Sequence, residues 1–205
     1  MVNLNLEIAK DLLQIKAVQI KTKQYFTWTS GIKSPIYCDN RLTMSYPALR
    51  KKIVQVFIKQ IKNMDVQPDV IAGCATAGIP HAAWIAEELN LPMVYVRSKP
   101  KGHGKGNQIE GLIRKGDKVV VIEDLISTGG SSIEAAKVLM GEGANVLGVL
   151  AIFTYGLNES KEQFKKVNLP FYAITSFDSL INVLVDDGEI TTEQKDQLIQ
   201  WRNEL

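Results

Sequence analysis

Four β-branched residues in a row, Val119, Val120, Val121 and Ile122, constrain this chain most, because two acids and a hydroxyl-glycine run follow them directly. An unbroken apolar run of this kind suits a strand covered on both faces, as at the centre of a parallel sheet. The run predicts a strand over 118–123, with Glu123 and Asp124 at its carboxyl end. Open α/β sheets bind their ligands in the crevice past such ends. Ser127, Thr128, Gly129, Gly130 and Ser131 then offer hydroxyls and backbone amides, and glycine lets those amides approach an anion closely. A helix is predicted over 132–141, with Ile133, Ala136 and Met140 on one face, and Ser131 and Glu134 stand at capping-box spacing. A helix start presents free N–H groups and partial positive charge to a phosphate. Carboxylates beside that cradle would repel a bare phosphate, so they suit sugar hydroxyls and a hydrated magnesium ion. The stretch reads as a site for a phosphorylated sugar. Its bland alternative is a strand, a turn and a capped helix with solvated acids.

The rest of the chain supplies the sheet that this strand needs. Strands are predicted over 69–73, 93–97, 145–153 and 171–174, alternating with helices over 80–89 and 158–166. Alternation of this kind indicates a mostly parallel sheet with helices on both faces. Before it, Leu4, Ile8, Leu12, Ile15 and Val18 predict an amphipathic helix over 4–20, and Pro47 opens a helix running to Lys62. Short strands are expected between Tyr25 and Asn40 around Ser30-Gly31. Thr191 and Gln194 form a capping-box pattern before a C-terminal helix containing Leu198 and Trp201. At 205 residues the chain is long enough for one α/β domain with a small addition.

Net charge is +2, from 24 basic and 22 acidic residues, which gives no broad basic surface for nucleic acid. No apolar stretch approaches the roughly 18 to 20 residues that cross a bilayer, and residues 1–13 are unlike a signal peptide. Cys38 and Cys74 fit no metal spacing and build no disulfide framework, so a reducing cytoplasm is expected.

A second site is expected at 97–106. Arg97, Lys99, Lys101 and Lys105 stand there with His103 and three glycines, and Pro100 excludes a regular strand. Such a segment either is a solvated surface loop or closes over an anionic substrate and neutralises a leaving group. Two further segments stay open in the same way. Residues 72–80 form either a tight strand-to-helix turn or a backbone approach to pyrophosphate. Residues 26–41 form either a hairpin and a strand edge or an aromatic wall with backbone amides for a small carboxylate.

Residues 119–132 resemble the signature of the type I phosphoribosyltransferases, which exchange the pyrophosphate of phosphoribosyl pyrophosphate for a nitrogenous base. No Walker or dinucleotide pattern competes with it. The loop at 97–106 and the segment 26–41 are similar to one branch of that family, the orotate phosphoribosyltransferases. The resemblance implies a mostly parallel five-stranded core at 69–175, with residues 1–62 and the C-terminal helices as a hood and flanking elements. It implies phosphoribosyl pyrophosphate on Arg97, Lys101, His103, Glu123, Asp124, Leu125, Ile126, Ser127, Thr128, Gly129, Gly130 and Ser131. Lys101, His103 and Asp124 would be catalytic, and orotate would meet Ser127, Tyr37 and Lys33. Magnesium would travel on the pyrophosphate with no direct protein ligand, reaching Asp124 through water. A homodimer with shared active sites is also implied.

Thr29, Ala77 and Tyr155 depart from the better-known enteric form, which leaves the orotate carboxylate to Lys33 or Arg41. The implied activity is transfer of ribose 5-phosphate to orotate in pyrimidine biosynthesis. The rivals are a purine phosphoribosyltransferase, a regulator that senses phosphoribosyl pyrophosphate, and an inactive interaction partner.

Overall fold

The computed structural model describes residues 4–27, 31, 33–99 and 108–204. It opens with helix α1 (Leu4–Gln14), which buries Ile8, Ala9 and Leu12. The apolar period runs on to Val18, but the helix stops at Gln14, short of the predicted 20. Lys16 takes a positive φ of 59° and turns the chain, and Val18 enters strand β1 (Val18–Ile20). Left-handed backbone at a single residue ends a helix in just this way. Strands β2 (Phe26–Thr27) and β3 (Lys33–Ser34) pair antiparallel, as the expected hairpin requires, and β4 (Ile36–Cys38) pairs antiparallel with β1. A 3-10 helix, Asn40–Ser45, leads into α2 (Pro47–Lys62), with Pro47 in the first turn, where its missing N–H costs nothing.

The sheet begins at β5 (Val70–Cys74), followed by α3 (Gly78–Leu89), β6 (Met93–Val96) and the two-residue β7 (Ile109–Glu110). Then come β8 (Lys118–Ile126), α4 (Gly130–Gly141), β9 (Asn145–Thr154), α5 (Asn158–Lys166) and β10 (Phe171–Ser176). Helices α6 (Phe177–Asp186) and α7 (Thr192–Asn203) close the chain. The order across the sheet is β10-β9-β8-β5-β6-β7, with the five long strands parallel and β7 antiparallel at one edge. The five predicted core strands are present. Strand β7 escapes sequence reading because two residues carry no period. Helix α6 was missed although Phe177, Leu180, Ile181 and Leu184 have helical spacing and the Ser176 hydroxyl caps the Ser179 amide.

Alternation along β8 divides its side chains between two cores. Val120 and Ile122 join the cluster built by α1, α2, α3 and α6, whereas Val119 and Val121 join the one under α4 and α5, with Ile133, Leu139 and Phe164. All four are 0% exposed, so each contributes about 1.5 to 3 kcal/mol of burial. The chain leaves β5 towards β6 on one side and returns to β8 on the other. That reversal places a crevice between the carboxyl ends of β5 and β8, where the two following helices diverge.

Candidate active site

The crevice is a cavity of about 450 Å³, and residues from three separate segments line it. One wall is the end of β8 and its turn: Glu123, Asp124, Leu125, Ser127, Thr128, Gly129, Gly130, Ser131 and Ser132. The loop after β5 supplies Ala75, Thr76 and Ala77, and the segment after β4 supplies Cys38, Asp39 and Arg41. Gly78 starts α3 with its Cα against the Ile122 carbonyl, where a Cβ would collide with backbone, so this glycine lets the loop lie against β8 just before the acids.

Strand β8 continues past the acids to Ile126, three residues beyond the predicted end at 123, because β9 stays paired with it to that point. Glu123 is 6% exposed. Its Oε1 accepts the Asp124 N–H at 3.0 Å, and its Oε2 accepts the Ser132 hydroxyl at 3.2 Å. Burial raises the Glu123 carboxyl well above the usual carboxylate range, and the neighbouring Asp124 adds to the rise. Asp124 is raised as well, again mainly by burial, with hydrogen bonds and Arg41 opposing it. Burial also pushes up the thiols of Cys74, beside Glu123, and Cys38, beside Asp124, so neither is a ready nucleophile.

Helix α4 starts at Gly130, two residues earlier than predicted, and this removes the expected capping box. Gly129 is the N-cap, with φ 88° and ψ −4°, and no side chain caps the helix. Ser131 therefore lies inside the first turn, and Glu134 approaches Lys137 at 4.0 Å instead. An uncapped first turn facing a cavity keeps its N–H groups for an anion. Ser132 was missed by the sequence reading for the same reason: the earlier start rotates it towards Glu123.

The structure thus brings together Glu123, Asp124, Leu125, Ser127, Thr128, Gly129, Gly130 and Ser131. Ile126 is the exception in that run. It is 0% exposed in the core under α4, and its carbonyl accepts the Thr154 hydroxyl at 3.0 Å, so its side chain points away from the cavity. Arg97 does not reach the wall either; its guanidinium lies 3.3 Å from Glu110 on β7. Tyr37 is exposed and packs on Phe26, with ring centroids 5.8 Å apart, and Lys33 is exposed on β3. Neither lines the cavity, whereas Arg41 does, held to Asp39 at 2.6 Å. This ion pair holds the Asp39 carboxyl below its ordinary value. Lys101, His103 and Thr29 lie outside the described residues. Among the described residues no helix is long and apolar enough to cross a membrane.

Comparison with known proteins agrees with this geometry. The phosphoribosyl transferase domain family matches residues 45–180. The chain is 61% identical over 202 residues to an orotate phosphoribosyltransferase of Oceanobacillus iheyensis, covering 98% of this chain and 100% of the relative. It is 55% identical over 204 residues to one from Fusobacterium nucleatum, covering 98% and 97%. The crystal structure of orotate phosphoribosyltransferase from Aeropyrum pernix superposes with a TM-score of 0.75 at 28% identity, over 90% of this chain and 99% of that one. The family match over residues 45–180 and the near-full-length relatives together place this chain in the orotate phosphoribosyltransferases of the type I phosphoribosyltransferase family.

Proposed function

We propose that the chain transfers ribose 5-phosphate from phosphoribosyl pyrophosphate to orotate, giving orotidine 5-monophosphate and pyrophosphate. The observation that carries this reading is the pairing, in one crevice, of the Glu123–Asp124 carboxylates with the uncapped first turn of α4. The turn receives the 5-phosphate through the amides and hydroxyls at 127–131. The carboxylates accept the ribose hydroxyls, which fixes the anomeric carbon relative to both leaving group and base. Departure of pyrophosphate leaves positive character on the sugar ring, which the two acids stabilise when ionised. The orotate ring nitrogen is the nucleophile, so no protein nucleophile is required. The raised thiols at Cys38 and Cys74 are consistent with that.

Lys101 and His103, with Arg97 after release from Glu110, neutralise the leaving pyrophosphate. Of the two cations considered for the orotate carboxylate, Arg41 is favoured by its place on the wall. Magnesium fits as an ion carried by the pyrophosphate. Asp124, on the cavity wall, would be its outer partner through water. Bound there, it would supply charge neutralisation. Residues 1–62 and the C-terminal helices act as a hood and flanking elements around the core at 69–175. The active form is a homodimer with shared sites, working in the cytoplasm.

Purified protein with magnesium and phosphoribosyl pyrophosphate should consume orotate and leave adenine, hypoxanthine and guanine untouched. Turnover of a purine with orotate unchanged would overturn the reading.

A further inference from the structure

Past Ile122 the strand β8 has a neighbour on one side only. β5 pairs with it from Val119 to Ile122, whereas β9 stays paired to Ile126. The backbone of Asp124 lies beyond the reach of β5, and side chains serve it instead. Its N–H goes to Glu123 Oε1 at 3.0 Å, and its carbonyl accepts Asn40 Nδ2 at 2.7 Å. Asn40 is 0% exposed and comes from 84 residues away in the chain. Its amide can face only one way, because the reverse would set two oxygens against each other. In that orientation Asn40 Oδ1 is buried without a hydrogen-bond partner. A buried, half-satisfied amide is a poor choice for packing alone, so its presence here calls for another reason.

Asn40 is itself held from behind. The Thr43 hydroxyl donates to the Asn40 carbonyl at 2.6 Å and lies 3.3 Å from His81 Nε2. A hydroxyl has one proton, so with that proton given to Asn40 the histidine donates from Nε2 and its Nδ1 is a bare acceptor. Nδ1 is indeed buried without a partner. His81 is 1% exposed, and its ring meets Trp84 edge-on with centroids 5.2 Å apart. It sits one turn into α3, directly after the loop 75–77 that lines the cavity.

We propose that Asn40 is a positioning residue for Asp124: it stands in for the missing sheet partner of β8 and, through Thr43 and His81, locks the ribose carboxylate to helix α3. Asp39 and Arg41, on either side of it, line the cavity, so the same contact fixes their segment against the ribose end.

The inference rests on the transferase reading, and its test separates the two. Orotate turnover by the unaltered chain comes first, and its failure is the failure of that reading. With turnover established, Asn40→Ala should lower kcat/KM for phosphoribosyl pyrophosphate about tenfold or more, mostly in kcat, with the orotate KM within about twofold. In an Asp124→Ala background the same change should add less than about twofold, since it acts through Asp124. An equal further loss there would overturn the proposal.

Because Asn40 is buried, a second pair of variants reads the same link without emptying its site. Thr43→Val removes the hydroxyl at nearly constant shape and should lower kcat, and Thr43→Ser should restore it. A melting temperature that falls in Thr43→Val while kcat is unchanged would show a purely structural role and sink the idea. So would a Thr43→Ser variant as slow as Thr43→Val.

Discussion

Glu123 is the residue whose burial and charge pull hardest against each other. Its carboxyl is raised from an ordinary 4.5 towards about 8, so near neutral pH the folded chain holds a proton that the unfolded chain has released. The stability this group contributes is fully present below the ordinary value and is lost as pH rises through the raised one. Glu123→Gln keeps partners for Asp124 and Ser132 and removes the charge. Relative to the parent, its melting temperature should rise steadily as pH is raised from about 5 to about 8. A difference independent of pH would contradict the assignment. Above the raised value the same substitution should weaken phosphoribosyl pyrophosphate, because there the ribose loses an ionised acceptor. Lys101 poses a different question, since the charge it is proposed to neutralise grows on the pyrophosphate as its bond to the ribose breaks. Lys101→Ala should reduce kcat by about a hundredfold and weaken orotidine 5-monophosphate binding by less than about threefold. Equal losses in both measurements would remove its role at the leaving group.

At the scale of elements, the turn from β8 into α4 does most to shape the site. Gly129 holds φ 88°, and a Cβ there would meet Phe164 Cε2 at 2.7 Å. Gly129→Ala should therefore cost about 2 kcal/mol or more in denaturant unfolding, from left-handed backbone and overpacking together. Its phosphate affinity should fall as well, and an unchanged unfolding midpoint would show that the turn has another way to relax. The two capping-box patterns show how far an element can be read from residues. Thr191 and Gln194 form the reciprocal pair at the start of α7, whereas Ser131 and Glu134 have the same spacing and form none. Glycine at 129 lets the chain turn early, so α4 begins before the pattern that should have begun it. Similarly, the period of α1 continues to Val18, but one left-handed residue at Lys16 outweighs it.

For the whole molecule, the strand order decides the function more than any single motif. Reversal between β5 and β8 opens the crevice into which the loop 75–77, the acids and the segment after β4 all face. The implied homodimer adds a prediction at this scale. Mixing a Lys101→Ala chain with an Asp124→Ala chain should restore activity to up to about a quarter of the parent if each site takes its cationic loop from the partner. No recovery, with the mixed dimer confirmed by mass, would show that each chain completes its own site.

What the sequence determined by itself was local. The β-branched run required a strand buried on both faces, and the residues after it put two acids beside a hydroxyl-glycine turn; five mostly parallel strands followed from alternating periods. Those features depend on neighbours a few positions apart, which is where propensity and periodicity act. The tertiary structure alone decided which distant segments meet. It put Arg41 on the cavity wall while Lys33 faces solvent, paired Arg97 with Glu110, turned Ile126 into the core, and brought Asn40 to the carbonyl of Asp124. Contacts of that kind depend on strand order, on where each pairing ends and on the face to which a helix returns, and no local pattern of residues encodes them.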